Sequence, residues 1–221
     1  MRWTSLAILS LLTAQAALAA DLRLKSEAAN LPAGVADAVK EGLGKDAFVV
    51  RSDANTVLLR LWLRSELPTR ATAEQMKNGL TYRELPPTTL LGVIEFPATF
   101  VDFRKQEIPA GVYTLRFAIQ PDTADHLGVT PHREFLLLTP VAKDRSTDLT
   151  EPKSLIAWSS ETTGGDHPAV MMLFPSRTSD KDGLLGKGEG IQALRFTRRV
   201  SSPGGSGSLG FVLAVSGHVK E

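Results

Sequence analysis

Residues 121–133 hold the chain's densest set of groups able to bind metal or move protons near neutral pH. Asp122, Asp125, His126, His132 and Arg133 fall within thirteen positions. A second Asp–His pair, Asp166 and His167, precedes Pro168 and another apolar run. Imidazole is the side chain that titrates in this range. A carboxylate beside it can fix its tautomer from behind a metal. If the loops 121–133 and 164–168 share one end of a sheet, His126, His132 and His167 become ligands for a divalent metal such as zinc. His132 or Asp125 would complete the sphere around His126 and His167. Arg133 would instead hold an anionic group of a ligand. The competing reading is that these Asp and His side chains fasten their own turns by bonding to loop backbone. The six-residue spacing of His126 and His132 matches no zinc signature. The candidate binding residues are therefore Asp125, His126, His132, Arg133, Asp166 and His167, and no catalytic residue is assigned.

Other motifs fall short of their chemistry. Asp180-Lys181-Asp182-Gly183 opens like a calcium loop but lacks the later acidic ligands, and reads as a turn. Gly186, Gly188 and Gly190 alternate without the strand, turn and helix of a dinucleotide fold. Gly204-Gly205-Ser206-Gly207 lacks the lysine of a phosphate loop. There is no Gly-x-Ser-x-Gly elbow, and no cysteine for thiol catalysis. Arg60, Trp62 and Arg64 share one face of an alternating run. They make a candidate binding surface of ring and guanidinium. The alternative is a tryptophan covered by a helix, with arginine stems lying along it.

Period two dominates the segments that must carry these groups. Residues 21–26 alternate apolar and charged. Residues 47–51 and 56–64 read as a hairpin around 52–55, with Val57, Leu59, Leu61 and Leu63 on one face. Further strands are expected at 90–96, 100–103, 112–120, 134–139, 169–174, 191–200 and 209–219, with a flexible loop at 201–208. In residues 112–120, Tyr113, Leu115, Phe117 and Ile119 face one way. A helix is expected over 32–43, with Pro32 in its first turn and Gly44 ending it. Another is expected over 149–162, capped by Thr150 and closed by Gly164-Gly165. Residues 68–87 read as a polar connection with one helical turn near 73–77. Many short strands punctuated by Gly and Pro predict a mainly β, antiparallel β-sandwich with one or two short helices. The expected core includes Leu59, Leu61, Phe96, Tyr113, Leu115, Phe117, Leu136, Leu173, Phe196, Phe211 and Leu213. No repeat or long linker divides residues 20–221, so they are read as a single domain.

The first nineteen residues differ from the rest. Arg2, the apolar run 6–12 and Ala17-Leu18-Ala19 make a secretory signal with cleavage after Ala19 or Ala20. The run is too short for a membrane anchor. An exported chain with no cysteine must hold itself together by its core. Its 25 Lys+Arg against 24 Asp+Glu give a formal net charge of +1, with no block of like charge. That disfavours nucleic acid as a partner, and an anionic membrane surface too, since both call for clustered basic residues.

The segments Leu91-Gly92-Val93-Ile94-Glu95-Phe96, Ile108-Pro109-Ala110-Gly111-Val112-Tyr113-Thr114-Leu115-Arg116, His132-Arg133-Glu134-Phe135-Leu136-Leu137-Leu138 and Asp166-His167-Pro168-Ala169-Val170 resemble an uncharacterised family of exported bacterial β-rich proteins. The resemblance covers most of the chain beyond the signal. It implies a location in the bacterial envelope, and no activity comes with it. Two readings of function follow. One is a non-catalytic binding or structural module of the cell envelope, with a glycan or a protein as partner. The other is a metal-binding protein or metal-dependent enzyme using the two Asp–His loops.

Overall fold

The computed structural model describes residues 22–120, 132–165, 167–178, 181–188 and 190–217. It is mainly β, with antiparallel sheets and three short helices, as an antiparallel β-sandwich requires. The larger sheet has seven strands. They are β1 (Arg23–Ala28), β2 (Leu43–Arg51), β3 (Val57–Arg64), β5 (Leu90–Phe96), β8 (Gly111–Ile119), β9 (Glu134–Pro140) and β10 (Val170–Met172), in that spatial order. The smaller sheet places β11 (Gly183–Gly186), β12 (Gln192–Ser202) and β13 (Gly205–Ser216) side by side, with β4 (Glu66–Pro68) parallel to β12. A small hairpin, β6 (Phe100–Val101) with β7 (Glu107–Ile108), stands apart.

All eleven residues expected in the core lie in the main apolar cluster between the two sheets. Phe196 stacks on Phe211 at 5.2 Å between ring centres, and Phe48 tilts against Phe196. Alternation delivers one face of every strand to this cluster, and burial of that apolar area drives the two sheets together. A second cluster lies on the outer face of the larger sheet. There Trp62, Val49, Val93 and Leu90 are covered by Val35, Val39 and Leu43. A third cluster packs Leu155 of α3 (Pro152–Thr163) over Leu137, Val170 and Met172. Among the described residues, no helix is long and apolar enough to cross a membrane.

Several local expectations are corrected. The helix read over 32–43 is only α1 (Asp37–Glu41). Gly34 at φ +87° turns the chain before it, and Leu43 and Gly44 already belong to β2. The terminator is Gly42 at φ −84°, not a left-handed Gly44. Val57 does not share a face with Leu59. The register slips between Val50 and Arg51, and Val57 joins the outer cluster while Leu58 packs on the main one. A bulge does this because one extra residue reverses the side-chain alternation beyond it.

Residues 68–87 are not merely polar. Besides α2 (Ala73–Asn78), they carry Ala71, Leu80, Tyr82 and Leu85 into the main core. The buried Tyr82 hydroxyl donates to the Phe174 carbonyl at 3.0 Å and accepts from the Val212 amide at 3.2 Å. Burial raises its pKa accordingly. Residues 201–208 form no long loop, since Ser201 pairs with Ser206 and Ser202 with Gly205, leaving a tight turn at Pro203-Gly204. Thr150 does not cap α3. Glu151 stands at that position without a side-chain cap bond, although Gly164 closes the helix at φ +65° as expected.

Candidate functional site

The strand pairing decides where the two Asp–His loops can lie. β9 and β10 are antiparallel, with Met172 opposite Phe135 and Val170 opposite Leu137. The Leu173 amide reaches the Glu134 carbonyl, and the Leu138 amide reaches the Ala169 carbonyl. His132 therefore stands beyond one end of β9 and His167 beyond the other. The strand's seven residues set them roughly 23 Å apart at the usual rise. These two histidines cannot share a metal ion, which corrects their expected pairing at one site. Asp122, Asp125, His126 and Asp166 lie outside the described residues. Among the described residues, no group of three or more His, Asp or Glu is placed to hold a metal.

The individual environments fit fastening roles. The His132 ring meets Phe174 edge-on at 5.3 Å. Arg133 Nη2 donates to the Gln120 carbonyl at 3.2 Å, and the Gln120 amide donates to the Arg133 carbonyl. The exposed His167 accepts at its backbone carbonyl from Thr163 Oγ1 at 2.6 Å, which ties the end of α3 to the start of β10.

Burial holds the His132 imidazole below its ordinary value. Glu134 opposes the shift and Lys187 adds to it. A histidine depressed in this way binds fewer protons folded than unfolded. Its contribution to stability is complete above the unfolded pKa of about 6.5, and is lost as the pH falls toward the folded value. The melting temperature is expected to fall as the pH is lowered through about 6.5, and His132→Gln is expected to flatten that slope. An equally steep slope in the variant would assign it to other groups.

Trp62 is not a binding surface. It is 1% exposed, and its indole N–H donates to the Ala29 carbonyl at 3.1 Å beneath the segment leading into α1. Arg60 is engaged by Glu95 at 2.6 Å. Arg64 differs. Its guanidinium makes no hydrogen bond to any described residue, and its Nε is buried without a partner. Burial holds its guanidinium below the ordinary value. The charge of Arg116 acts the same way, and Asp148 opposes both.

Arg64 lines a cleft of about 250 Å³ at the corner where β3 leaves the larger sheet and continues through Ser65 into β4. Three residues of β2, Gly44, Lys45 and Asp46, bulge between the pairs Leu43–Arg64 and Ala47–Trp62, so that only Leu63 opposes them. Phe48, Leu61 and Leu63 contribute the apolar wall. Arg198 of β12 lies opposite. Its guanidinium sits 5.4 Å from the Phe48 ring centre and 5.5 Å from that of Phe196. Nη1 donates to the Thr197 carbonyl, while Nε is buried without a partner. Burial lowers the pKa of Arg198, and Asp182 opposes the shift.

Sequence reasoning missed this arginine, though a signal was present. Leu194, Phe196 and Val200 are core residues of β12, and Arg198 holds the position between Phe196 and Val200 in the same alternation. A charge there lines the cleft, with its guanidinium held against the rings of Phe48 and Phe196.

A further cation, fully buried, is structural. Arg116 of β8 is 0% exposed and meets Asp144, 2% exposed, through Nε at 2.7 Å and Nη2 at 2.8 Å. Its remaining N–H groups reach the carbonyls of Thr88, Ser146 and Asp148. This fork pins residues 144–148, and Thr147 and Asp148 line a second, shallower cleft with Arg64.

The fold and its corner cleft define a mainly β sandwich with a basic, aromatic-walled recess between its sheets. No protein-family model matches the chain, and no curated protein or solved structure does either.

Proposed function

We propose that the protein is an exported module of the bacterial cell envelope that binds or organises a glycan or a protein and does not act as an enzyme. The observation that carries this reading is the corner cleft. Strand segments of both sheets bound it, and rigid elements that hold an open recess are where binding groups gather. Its chemistry suits holding a ligand. Arginine stays protonated at any physiological pH, so Arg64 and Arg198 offer charge and hydrogen-bond donors and do not shuttle protons. The leader at residues 1–19 supports the compartment, and the balanced charge of the chain supports a partner other than nucleic acid.

The test is made on protein recovered from the envelope fraction of its host. N-terminal sequencing is expected to begin after Ala19 or Ala20. The purified chain is then expected to be retained on immobilised cell-wall glycan or on a known envelope protein from that host. A mature chain beginning at Met1, or retention no greater than that of an unrelated β-sandwich of similar charge, overturns the reading.

A further inference from the structure

We propose that the corner cleft binds an oxyanion, carried by an acidic sugar, between Arg64 and Arg198. The inference rests on the reading of the chain as a binding module and names the ligand class of that site. Three observations carry it. The first is charge. Lys45, Arg64 and Arg198 line the cleft against Asp46 and Asp182, three cations to two carboxylates. Asp148 also acts on the guanidinium of Arg64, and the shift of Arg198 is opposed by Asp182. The Asp182 Oδ1 accepts from the Thr197 amide at 3.3 Å on the β12 side.

The second observation is unspent hydrogen-bonding capacity. Both Nε atoms are covered and unpartnered. What each guanidinium can show a ligand is thus its Nη end. Arg198 commits Nη1 to the Thr197 carbonyl, and Arg64 commits nothing to any described residue. Two guanidinium groups with free Nη donors match the paired oxygens of a carboxylate or the three of a phosphate. The third observation is placement. Arg198 is held over two rings, Phe48 and Phe196. The Arg64 Nε lies beside Gly42, where a Cβ would meet it at an ordinary contact distance of 3.5 Å. Side chains fixed by packing lose little freedom when a ligand arrives. The favoured carrier is a sugar, because Ser26 and Ser65 also line the cleft and can bond to hydroxyls.

The experiment titrates the full chain beyond the signal with galacturonate, galactose and inorganic phosphate at constant ionic strength. Calorimetry and thermal melting are the readouts. Galacturonate is expected to bind and to raise the melting temperature, and galactose is expected to do neither. Phosphate binding more weakly than galacturonate supports an acidic sugar. Phosphate binding equally well supports recognition of the oxyanion from either source. Arg64→Gln is expected to weaken galacturonate by about tenfold or more, the cost of losing charge-assisted hydrogen bonds. Arg198→Lys keeps a charge over the rings and is expected to weaken it less than Arg198→Gln does. If Arg198→Gln fails to fold, Arg64→Gln and Arg198→Lys carry the test. No binding of either oxyanion at millimolar concentration overturns the proposal. So does equal binding of galactose, or galacturonate affinity unchanged in Arg64→Gln. Such a failure is distinguishable from failure of the module reading, which is judged on envelope location and retention with none of these probes.

Discussion

Replacing Arg116 with alanine is expected to cost about 3–5 kcal/mol of folding stability, the range seen when one partner of a buried ion pair is removed. Every N–H of this guanidinium is used, two on Asp144 and the others on the carbonyls of Thr88, Ser146 and Asp148. The variant would leave a carboxylate 2% exposed whose remaining side-chain donor among the described residues is the Thr114 hydroxyl, at 2.6 Å. It would also strand three acceptors. Thr88 adds to the cost. This buried, β-branched residue sits at φ +69°, a conformation that persists only where neighbours enforce it. Its carbonyl is held by Arg116, its amide by the Phe117 carbonyl, and its hydroxyl by the Thr150 amide. Removing the first hold frees the turn that precedes β5.

Urea unfolding measures the loss, read as a lower midpoint at an unchanged slope. Arg116→Lys is expected to fall between alanine and the parent, because an ammonium supplies charge without the fork. The double variant Arg116→Met, Asp144→Leu is expected to recover much of the deficit, since it leaves no buried charge unpaired. A loss below about 1 kcal/mol in Arg116→Ala would contradict a bearing role for this pair. The effect should reach the cleft as well. Thr147 and Asp148, whose positions Arg116 helps fix, wall the outer side of Arg64.

Strands whose pattern is local were legible in the sequence. Tyr113, Leu115 and Phe117 alternate inward on β8, and Phe211 and Leu213 do so on β13, as their spacing requires. What escaped was non-local. Arg116 sits on the face of β8 opposite that core, and alternation alone reads such a position as surface. It is buried because residues 140–148 fold back over it, and nothing in the strand announces a distant loop. Residues 68–87 hid Leu80, Tyr82 and Leu85 for a related reason. They enter the core singly from turns and a single 3-10 turn of helix at Tyr82–Glu84, with no period to detect. The separation of His132 from His167, by contrast, was readable. Each stands just before a strand, and two strands that pair antiparallel start at opposite ends of the sheet. Standing at strand edges does not bring His132 and His167 together, because the strands they precede pair antiparallel. Arg198 was readable too, as the charge on an apolar face.

Gly92→Ala is expected to cost about 3 kcal/mol or more, above the usual range for overpacking. Gly92 lies in β5, between β3 and β8, where the register slips between Leu90 and Gly92. A Cβ there would stand 2.2 Å from the Trp62 carbonyl oxygen and 3.0 Å from the Leu63 Cα. Both atoms are backbone of the adjacent strand, so no side chain can swing away. The strands must part or the bulge must migrate. Either response strains the run of pairs from Arg60–Glu95 to Leu63–Gly92. It also disturbs both faces of the sheet, because Trp62 anchors the outer cluster while Leu61 and Leu63 belong to the main one. Gly183→Ala is the control. Gly183 is likewise a strand residue, and a Cβ there would meet no atom within 4 Å, so its change is expected to stay within about 0.5 kcal/mol. Thermal and urea unfolding of the two variants against the parent give the comparison. Because Arg64 follows Leu63 directly, Gly92→Ala should also weaken galacturonate binding wherever the variant remains folded. Equal stability of the two alanine variants would mean that β3 and β5 can separate at little cost, and that the seven-stranded sheet is not a rigid support for the cleft.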